Sequence, residues 1–591
     1  MSAPISPTMI ARSGSVADPR WSPAGSALAW VETTGGRADL VVADGDGPPV
    51  VVSADCGIGG GFAWVSDEEI VVGAADGRLV VVHADGGLLR ILTRDGRAFG
   101  PAVSSRGEVA FSVERDDACD LAVVPLDGSA WPVRVSHADY AWDADWSPDG
   151  TRLAWHEWDL PDMSWDASRI VVRGLTQGSW DKTEVVAGGD GVAVGQPRFS
   201  PRGDALAYIC DAEGYAQLWV ANPDGSEARP ALRESHEHAE AAWGPGARSY
   251  AWSPDGEELA WNRNENGFGR LVIAAPGGRS ARELSKGWHR GLDWSEAGIA
   301  CVRSGAVTPP AVVVLAANGS SRRVVARGAV GGFERAEPVE PRAVTWKSGS
   351  ANVHGLVYRP VGVDNPPLLV HLHGGPTSQA LADWNGRVQR FVQQGWAVLQ
   401  VNYRGSTGYG RAYAQALAQR WGERDVADVA AGIKHAVKEG WCGGDRVALM
   451  GGSAGGFTAL LVAGLHPDLV HAVIALYPVT DLLDLAVTTD RFESGYHLRL
   501  VGALPETRDR YRERSPVTIA SAIRAPVLLL HGSNDTSVRP EQSAALADAL
   551  RAAGTPVERH VYEGEGHGWR KPDTVGDELA RIDAFLARWL P

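Results

Sequence analysis

A short phrase returns along the first half of the chain. Trp21-Ser22-Pro23-Ala24-Gly25 is followed by Leu28-Ala29-Trp30, and Trp146-Ser147-Pro148-Asp149-Gly150 by Leu153-Ala154-Trp155. Phe199-Ser200-Pro201-Arg202-Gly203 precedes Leu206-Ala207-Tyr208, and Trp252-Ser253-Pro254-Asp255-Gly256 precedes Leu259-Ala260-Trp261. Weaker copies begin at Trp64, Val103 and Trp294. A period of roughly 40 to 45 residues, with several short strands and a turn per unit, is the signature of a β-propeller. The aromatic residue suits the wedge between blades. Ser-Pro-Asp-Gly suits a tight turn, with proline holding φ and glycine accepting positive φ. An alternating apolar strand then runs back across the blade. Seven copies predict a seven-bladed β-propeller over residues 1–335.

Two of the repeats are about ten residues longer than the others, and the surplus belongs in loops. One loop spans Trp158 to Asp166 and the other Glu234 to Gly246. Both mix acids with tryptophan. They read either as solvated loops or as projections that help shape a substrate site. His236 and His238 flank Glu237, but no further ligand cluster stands beside them, so no metal is expected.

The pattern changes after Gly332. Glu337-Pro338-Val339-Glu340-Pro341 reads as an extended linker. Residues 336–591 then alternate short apolar runs (368–372, 397–401, 446–450, 472–476, 527–530, 557–561) with helical stretches such as 426–438, 543–553 and 577–589. This alternation predicts a mainly parallel sheet covered by helices on both faces. Ligands in such sheets bind at the carboxyl ends of the strands.

The run 446–450 ends in Gly451-Gly452-Ser453-Ala454-Gly455, the sequence form of a nucleophile elbow. Asp535 follows the run 527–530, and His567 follows 557–561 within Gly566-His567-Gly568. The order Ser, Asp, His is that of α/β-hydrolases. A serine hydroxyl is a poor nucleophile until a base takes its proton. An imidazole is suited to that task, because it exchanges protons near neutral pH. The acid holds the imidazole tautomer. Ser453, Asp535 and His567 are therefore the candidate triad, with His567 on a glycine-rich loop expected to be flexible. Backbone N–H groups of Ala454 and of Gly375, in His373-Gly374-Gly375-Pro376, are the candidate oxyanion donors. His373 reads as a brace for its loop.

Composition narrows the partners. A net charge of -16 argues against nucleic acid or an anionic membrane. Five scattered cysteines without Cys-x-x-Cys predict free buried thiols in a reducing compartment. The first 16 residues lack the pattern of a secretory signal, and no run of about 18 apolar residues appears. A cytoplasmic protein without cofactor or metal is expected.

With these motifs in place, the chain resembles the prolyl oligopeptidase family of serine peptidases, nearest its acylaminoacyl-peptidase and aminopeptidase branch. The landmarks are His373-Gly374-Gly375-Pro376, Asn402-Tyr403-Arg404-Gly405, Trp421-Gly422, the Ser453 elbow, Tyr477-Pro478-Val479-Thr480-Asp481 and Gly566-His567-Gly568. The resemblance implies an α/β-hydrolase catalytic domain at 336–591 and a propeller that restricts access to short peptides or aminoacyl amides. It implies an acyl-enzyme on Ser453, and a homo-oligomer, since dimers and larger rings occur among relatives. It also maps substrate contacts onto Tyr477, Phe492 and Tyr496, positions that equally suit plain core aromatics. Some relatives carry an arginine two residues after the acid, to grip an acylated N-terminus; here that position is Ser537, and the nearest arginine is Arg539. A free substrate amino group would want carboxylates, and Glu237 and Glu240 are the candidates. The leading expectation is removal of N-terminal residues from short peptides. Dipeptidyl or endopeptidase action, an esterase or amidase acting on a small metabolite, and an inert interaction module are the alternatives.

Overall fold

The computed structural model describes residues 4–591, except 46, 54, 55, 57–60, 116, 117, 177 and 329–332. The chain divides into two compact units. One comprises Gly14–Gly305 with Pro309–Ala329; the other comprises Met1–Ser13, Ala306–Thr308 and Val330–Pro591. The second unit thus takes in a stretch at each end of the propeller sequence, where a single cut near residue 335 was expected. A helix at Pro7–Ala11 packs against the helix Pro572–Trp589, and Ile5 N–H donates to Gln393 Oε1 at 2.8 Å.

The first unit is a β-propeller. Among the described residues its repeats form five discrete four-stranded sheets and one nine-stranded sheet. Seven separate sheets were expected. The difference arises at 119–140, where Cys119 pairs in parallel with Tyr140 and its N–H donates to Asp139 O at 3.0 Å, joining two successive groups of strands.

The recurring phrase does what its chemistry requires. Gly25, Gly150, Gly203 and Gly256 each donate N–H to the serine carbonyl three residues earlier, at 2.8–2.9 Å. Ser147 Oγ and Thr151 N–H both donate to Asp149 Oδ1, and these bonds hold that carboxyl down at about 2. The tryptophans stitch successive repeats together. Trp64 Nε1 donates to Arg20 O, Trp146 Nε1 to Ala102 O and Trp252 Nε1 to Arg198 O. Trp21 Nε1 donates to Gly298 O at 3.0 Å, which links the first sheet to the last. Val16, Trp21 and Trp30 share one buried cluster with Ala300, Val312 and Val314.

The two long loops meet each other. Trp165 and Trp243 pack with centroids 4.4 Å apart and their rings tilted by 42°, and Ser164 Oγ donates to Ala242 O. His238 Nδ1 accepts from Leu218 N–H, and its Nε2 lies 2.8 Å from Glu234 Oε1.

The second unit holds an eight-stranded sheet, numbered here within the unit: β1 Arg342–Ser348, β2 Ala351–Tyr358, β3 Leu368–Leu372, β4 Ala397–Asn402, β5 Val447–Gly452, β6 Ala472–Leu476, β7 Val527–Gly532 and β8 Val557–Tyr562. Its order is β1-β2-β4-β3-β5-β6-β7-β8. β1 and β2 pair antiparallel with each other, and β2 does so with β4; the rest are parallel. The parallel strands β3 to β7 are nearly continuous buried runs, as a sheet covered on both faces requires, while β8 at the edge is only partly buried. The helices used below are α1 Gly386–Gln393, α2 Arg424–Lys438, α3 Ala454–Leu465, α4 Pro540–Ala552 and α5 Pro572–Trp589. Eleven of the twelve residues of α3 are buried, which is why it is apolar all round.

A buried ion pair ties β4 to α2. Asp428, whose side chain is fully buried, accepts from Arg404 N at 2.8 Å and from Arg404 Nη2 at 2.7 Å. Asp428→Ala strands a guanidinium and a backbone N–H, so a loss of about 3–5 kcal/mol is expected. Urea unfolding of the variant, followed by tryptophan fluorescence, checks it.

Candidate active site

The strand order reverses beside β3, which pairs with β4 on one side and β5 on the other. The carboxyl ends of β3 and β5 are therefore neighbours, and this is where such sheets bind ligands. Leu372 is in register with Gly451, so the His373–Pro376 loop faces the elbow. A Cβ on Gly374 would lie 3.5 Å from Ser453 Cβ.

Ser453 caps α3 with φ 54° and ψ −124°. A non-glycine residue in that region is strained by about 1–3 kcal/mol, and the surroundings must hold it there. Two close approaches do so. A Cβ on Gly451 would come within 2.5 Å of Gly455 C, and one on Gly455 within 2.4 Å of Leu372 O. Only glycine lets the strand, the turn and the helix pack this tightly. Ala454 begins α3, so its N–H has no partner within the helix. Gly375, at φ 114°, lines the same pocket as Ser453 and Ala454.

His373 holds the donor loop. Its Nε2 lies 2.8 Å from Ser406 Oγ, and Tyr403 Oη donates to His373 O at 3.0 Å. Burial pushes this imidazole down to about 4, so it stands neutral at physiological pH.

Asp535 and His567 come together from the loops after β7 and β8. His567 Nδ1 lies 2.7 Å from Asp535 Oδ2. Asp535 Oδ1 accepts the N–H groups of Ser537 and Val538 at 3.1 and 2.9 Å. A second imidazole, absent from the sequence reading, completes the cradle: fully buried His531 places Nε2 3.2 Å from Asp535 Oδ2 and 2.9 Å from Val538 O. Burial raises the Asp535 carboxyl, but the bonds from His531 and His567 outweigh it and hold it at about 2. The acid is an anion throughout the neutral range.

The His567 loop is pinned by hydrogen bonds, where glycines had pointed to a flexible segment. Glu565 accepts from the N–H groups of Arg570 and Lys571, and Gly566 bridges Gly568. Trp569 Nε1 donates to Glu578 Oε2, which Arg387 of α1 also engages.

The substrate-contact candidates separate. Tyr496 lines the Ser453 pocket, and its hydroxyl contacts the Thr377 N–H and Oγ1. Tyr477 instead abuts the base: its ring meets His567 edge-on with centroids 4.7 Å apart, and a Cβ on Gly452 would lie 2.9 Å from its hydroxyl. Phe492 is half-buried on the turn leading to Tyr496. Glu240 is paired with Arg290 at 2.9 Å, and Glu237 is buried, with its carbonyl accepting from Asn264 N–H. The pocket contains one acid that the sequence did not single out, Glu493.

All five cysteines are free and buried. Among the described residues no helix is long and apolar enough to cross a membrane.

Comparison with known proteins points to one family. The profile of the prolyl oligopeptidase family matches residues 383–591. The solved structure of a puromycin hydrolase is similar over 99% of this chain and 96% of that one, with a TM-score of 0.90 and 30% identity. Dipeptidyl aminopeptidase BIII of Pseudoxanthomonas mexicana is 31% identical over 249 residues, covering 41% of this chain and 35% of that protein. The acylamino-acid-releasing enzyme of Mus musculus is 33% identical over 230 residues, 37% of this chain and 31% of that one. These two alignments thus span about a third of the length of the curated relatives. The chain belongs to the prolyl oligopeptidase family.

Proposed function

We propose that this protein is a serine peptidase that releases N-terminal residues from short peptides or aminoacyl amides. The observation that carries the reading is the Asp535–His567 pair at 2.7 Å, joined in one unit to a strained Ser453 whose pocket is lined by both Gly375 and Ala454.

Ser453 Oγ attacks the substrate carbonyl while His567 Nε2 takes its proton. Asp535 keeps the proton of the imidazole on Nδ1 and stabilises the imidazolium that forms. The negative charge developing on the carbonyl oxygen falls to the N–H groups of Gly375 and Ala454. His567 then gives its proton to the leaving amine, and an acyl-enzyme on Ser453 remains. Water, activated by the same imidazole, releases the acid. The relative described as a puromycin hydrolase makes puromycin, an aminoacyl amide, a substrate to try. In the propeller we read the nine-stranded sheet as two fused blades, which brings the blade count to seven.

The test is hydrolysis of aminoacyl-β-naphthylamides and puromycin beside N-acetylaminoacyl and dipeptidyl amides and simple acyl esters. Cleavage of esters alone would overturn the peptidase reading. A pH profile gives a further check. Asp535, held at about 2, stays charged and adds no acid limb of its own. With N-acetylated substrates kcat/KM should fall tenfold per pH unit as the imidazole gains the proton that bars it from acting as a base. A flat acid limb would remove His567 from that role.

A further inference from the structure

One acid in the Ser453 pocket takes no part in the acyl transfer. Glu493 lines the pocket together with Ser453, Ala454 and Gly375, among apolar walls that include Val479, Leu485 and Val538. It is half-buried, and its carboxylate has no side-chain partner among the described residues. No lysine or arginine lines the pocket among those residues. The titratable groups around it are Asp490, Asp535, His567 and His497, and Asp490 is already bonded to Ser537 Oγ at 2.6 Å. A carboxylate withdrawn from water without a cation is costly, and a bound cation restores the balance.

We propose that Glu493 is the receptor for a primary ammonium group on the substrate residue whose carbonyl Ser453 attacks. The assignment rests on reading Ser453 as the acylated nucleophile. It moves the ammonium anchor from Glu237 and Glu240, in the propeller, to the pocket of the nucleophile itself. Two sources of ammonium share the chemistry: the free α-amino group of an N-terminal residue, and the side chain of lysine.

Burial raises the Glu493 carboxyl to about 7, aided by the charges of Asp490 and Asp535 and opposed by His567. Its ordinary value is 4.5, so folding favours the protonated form. The favourable contribution is complete below about pH 4.5 and is lost as pH rises through about 7. Glu493→Gln should therefore raise Tm at pH 8 while weakening substrate selection, the usual exchange of stability for function.

The experiment compares alanyl-β-naphthylamide, N-acetylalanyl-β-naphthylamide and Nα-acetyl-lysyl-β-naphthylamide. In Glu493→Gln, the ratio of kcat/KM for an ammonium-bearing substrate to that for N-acetylalanyl should fall tenfold or more. A fall for alanyl identifies the α-amino group, and a fall for acetyl-lysyl identifies the side chain. Unchanged ratios for both overturn the proposal. Binding separates this outcome from a failure of the peptidase reading. In Ser453→Ala protein, which performs no acyl transfer, calorimetry should show the preferred ammonium substrate bound tenfold more tightly than in Ser453→Ala/Glu493→Gln. Equal Kd values, or no binding to either, overturn it. Should the glutamine variant fail to fold, the wild-type ratio across pH 5.5–7.5 decides: it should rise with pH, and a flat ratio overturns the proposal.

Discussion

Ser453→Ala should lower kcat by about a millionfold and abolish covalent labelling by a fluorophosphonate, with no loss of fold. The side chain is small and sits at a helix start where alanine is accepted, so circular dichroism and Tm should match the parent. The backbone at φ 54° is set by the close approaches of Gly451 and Gly455 and does not depend on the hydroxyl. Adding His567→Ala to Ser453→Ala should cost almost nothing more, because a base without a nucleophile has no work. The residue left over, about a thousandfold above water, would come from Gly375 and Ala454 acting on a bound carbonyl. A labelled Ser453→Ala protein, or full activity in it, would move the nucleophile elsewhere.

Asp535→Asn should lower kcat by about ten-thousandfold. The amide would keep the shape but offer a donor where His567 Nδ1 and His531 Nε2 both need an acceptor. The His567 imidazole would then take the wrong tautomer and present a proton to Ser453. The same substitution removes stability. Folding lowers this carboxyl from 3.8 to about 2, so its charge favours the fold above about pH 4, a contribution that fades as pH drops through about 2. Thermal melts at pH 7 and pH 3 should therefore show a larger gap between variant and parent at pH 7. Steady-state kinetics on the naphthylamides measure the first effect, and a loss under tenfold would count against the assigned role.

The parts of this site that were legible in the sequence are those held by local backbone chemistry. Gly451, Ser453 and Gly455 announce the elbow because only glycine survives contacts near 2.5 Å. Asp535 and His567 follow apolar runs, and strand ends in a parallel sheet share one edge. The Ser-Pro-Asp-Gly turns declared themselves because proline, aspartate and glycine each satisfy a separate backbone demand. Glu493 and His531 could not be read this way. The pocket brings Glu493 beside Ser453 through a turn between short helices, and no period or spacing records that meeting. His531 looks like one more residue at the end of β7 until Val538 O and Asp535 Oδ2 close around its Nε2. The pairing of Cys119 with Tyr140 that joins two groups of strands is likewise a matter of backbone approach, invisible in side-chain pattern.

The contact between the helix Pro7–Ala11 and α5 has a consequence for the order of assembly on the ribosome. Every sheet of the propeller pairs strands that are close in sequence, so each can form soon after its residues emerge. The second unit is different. Its helix Pro7–Ala11 precedes the propeller in the chain and must wait, through the making of the whole propeller, for a partner near residue 580. The Asp535–His567 pair thus forms late in synthesis, after the propeller has had time to close through Trp21 and Gly298. A ribosome stalled before α5 would release a finished propeller, an unpaired Pro7–Ala11 helix and a His567 loop that lacks the Glu578 bracing Trp569.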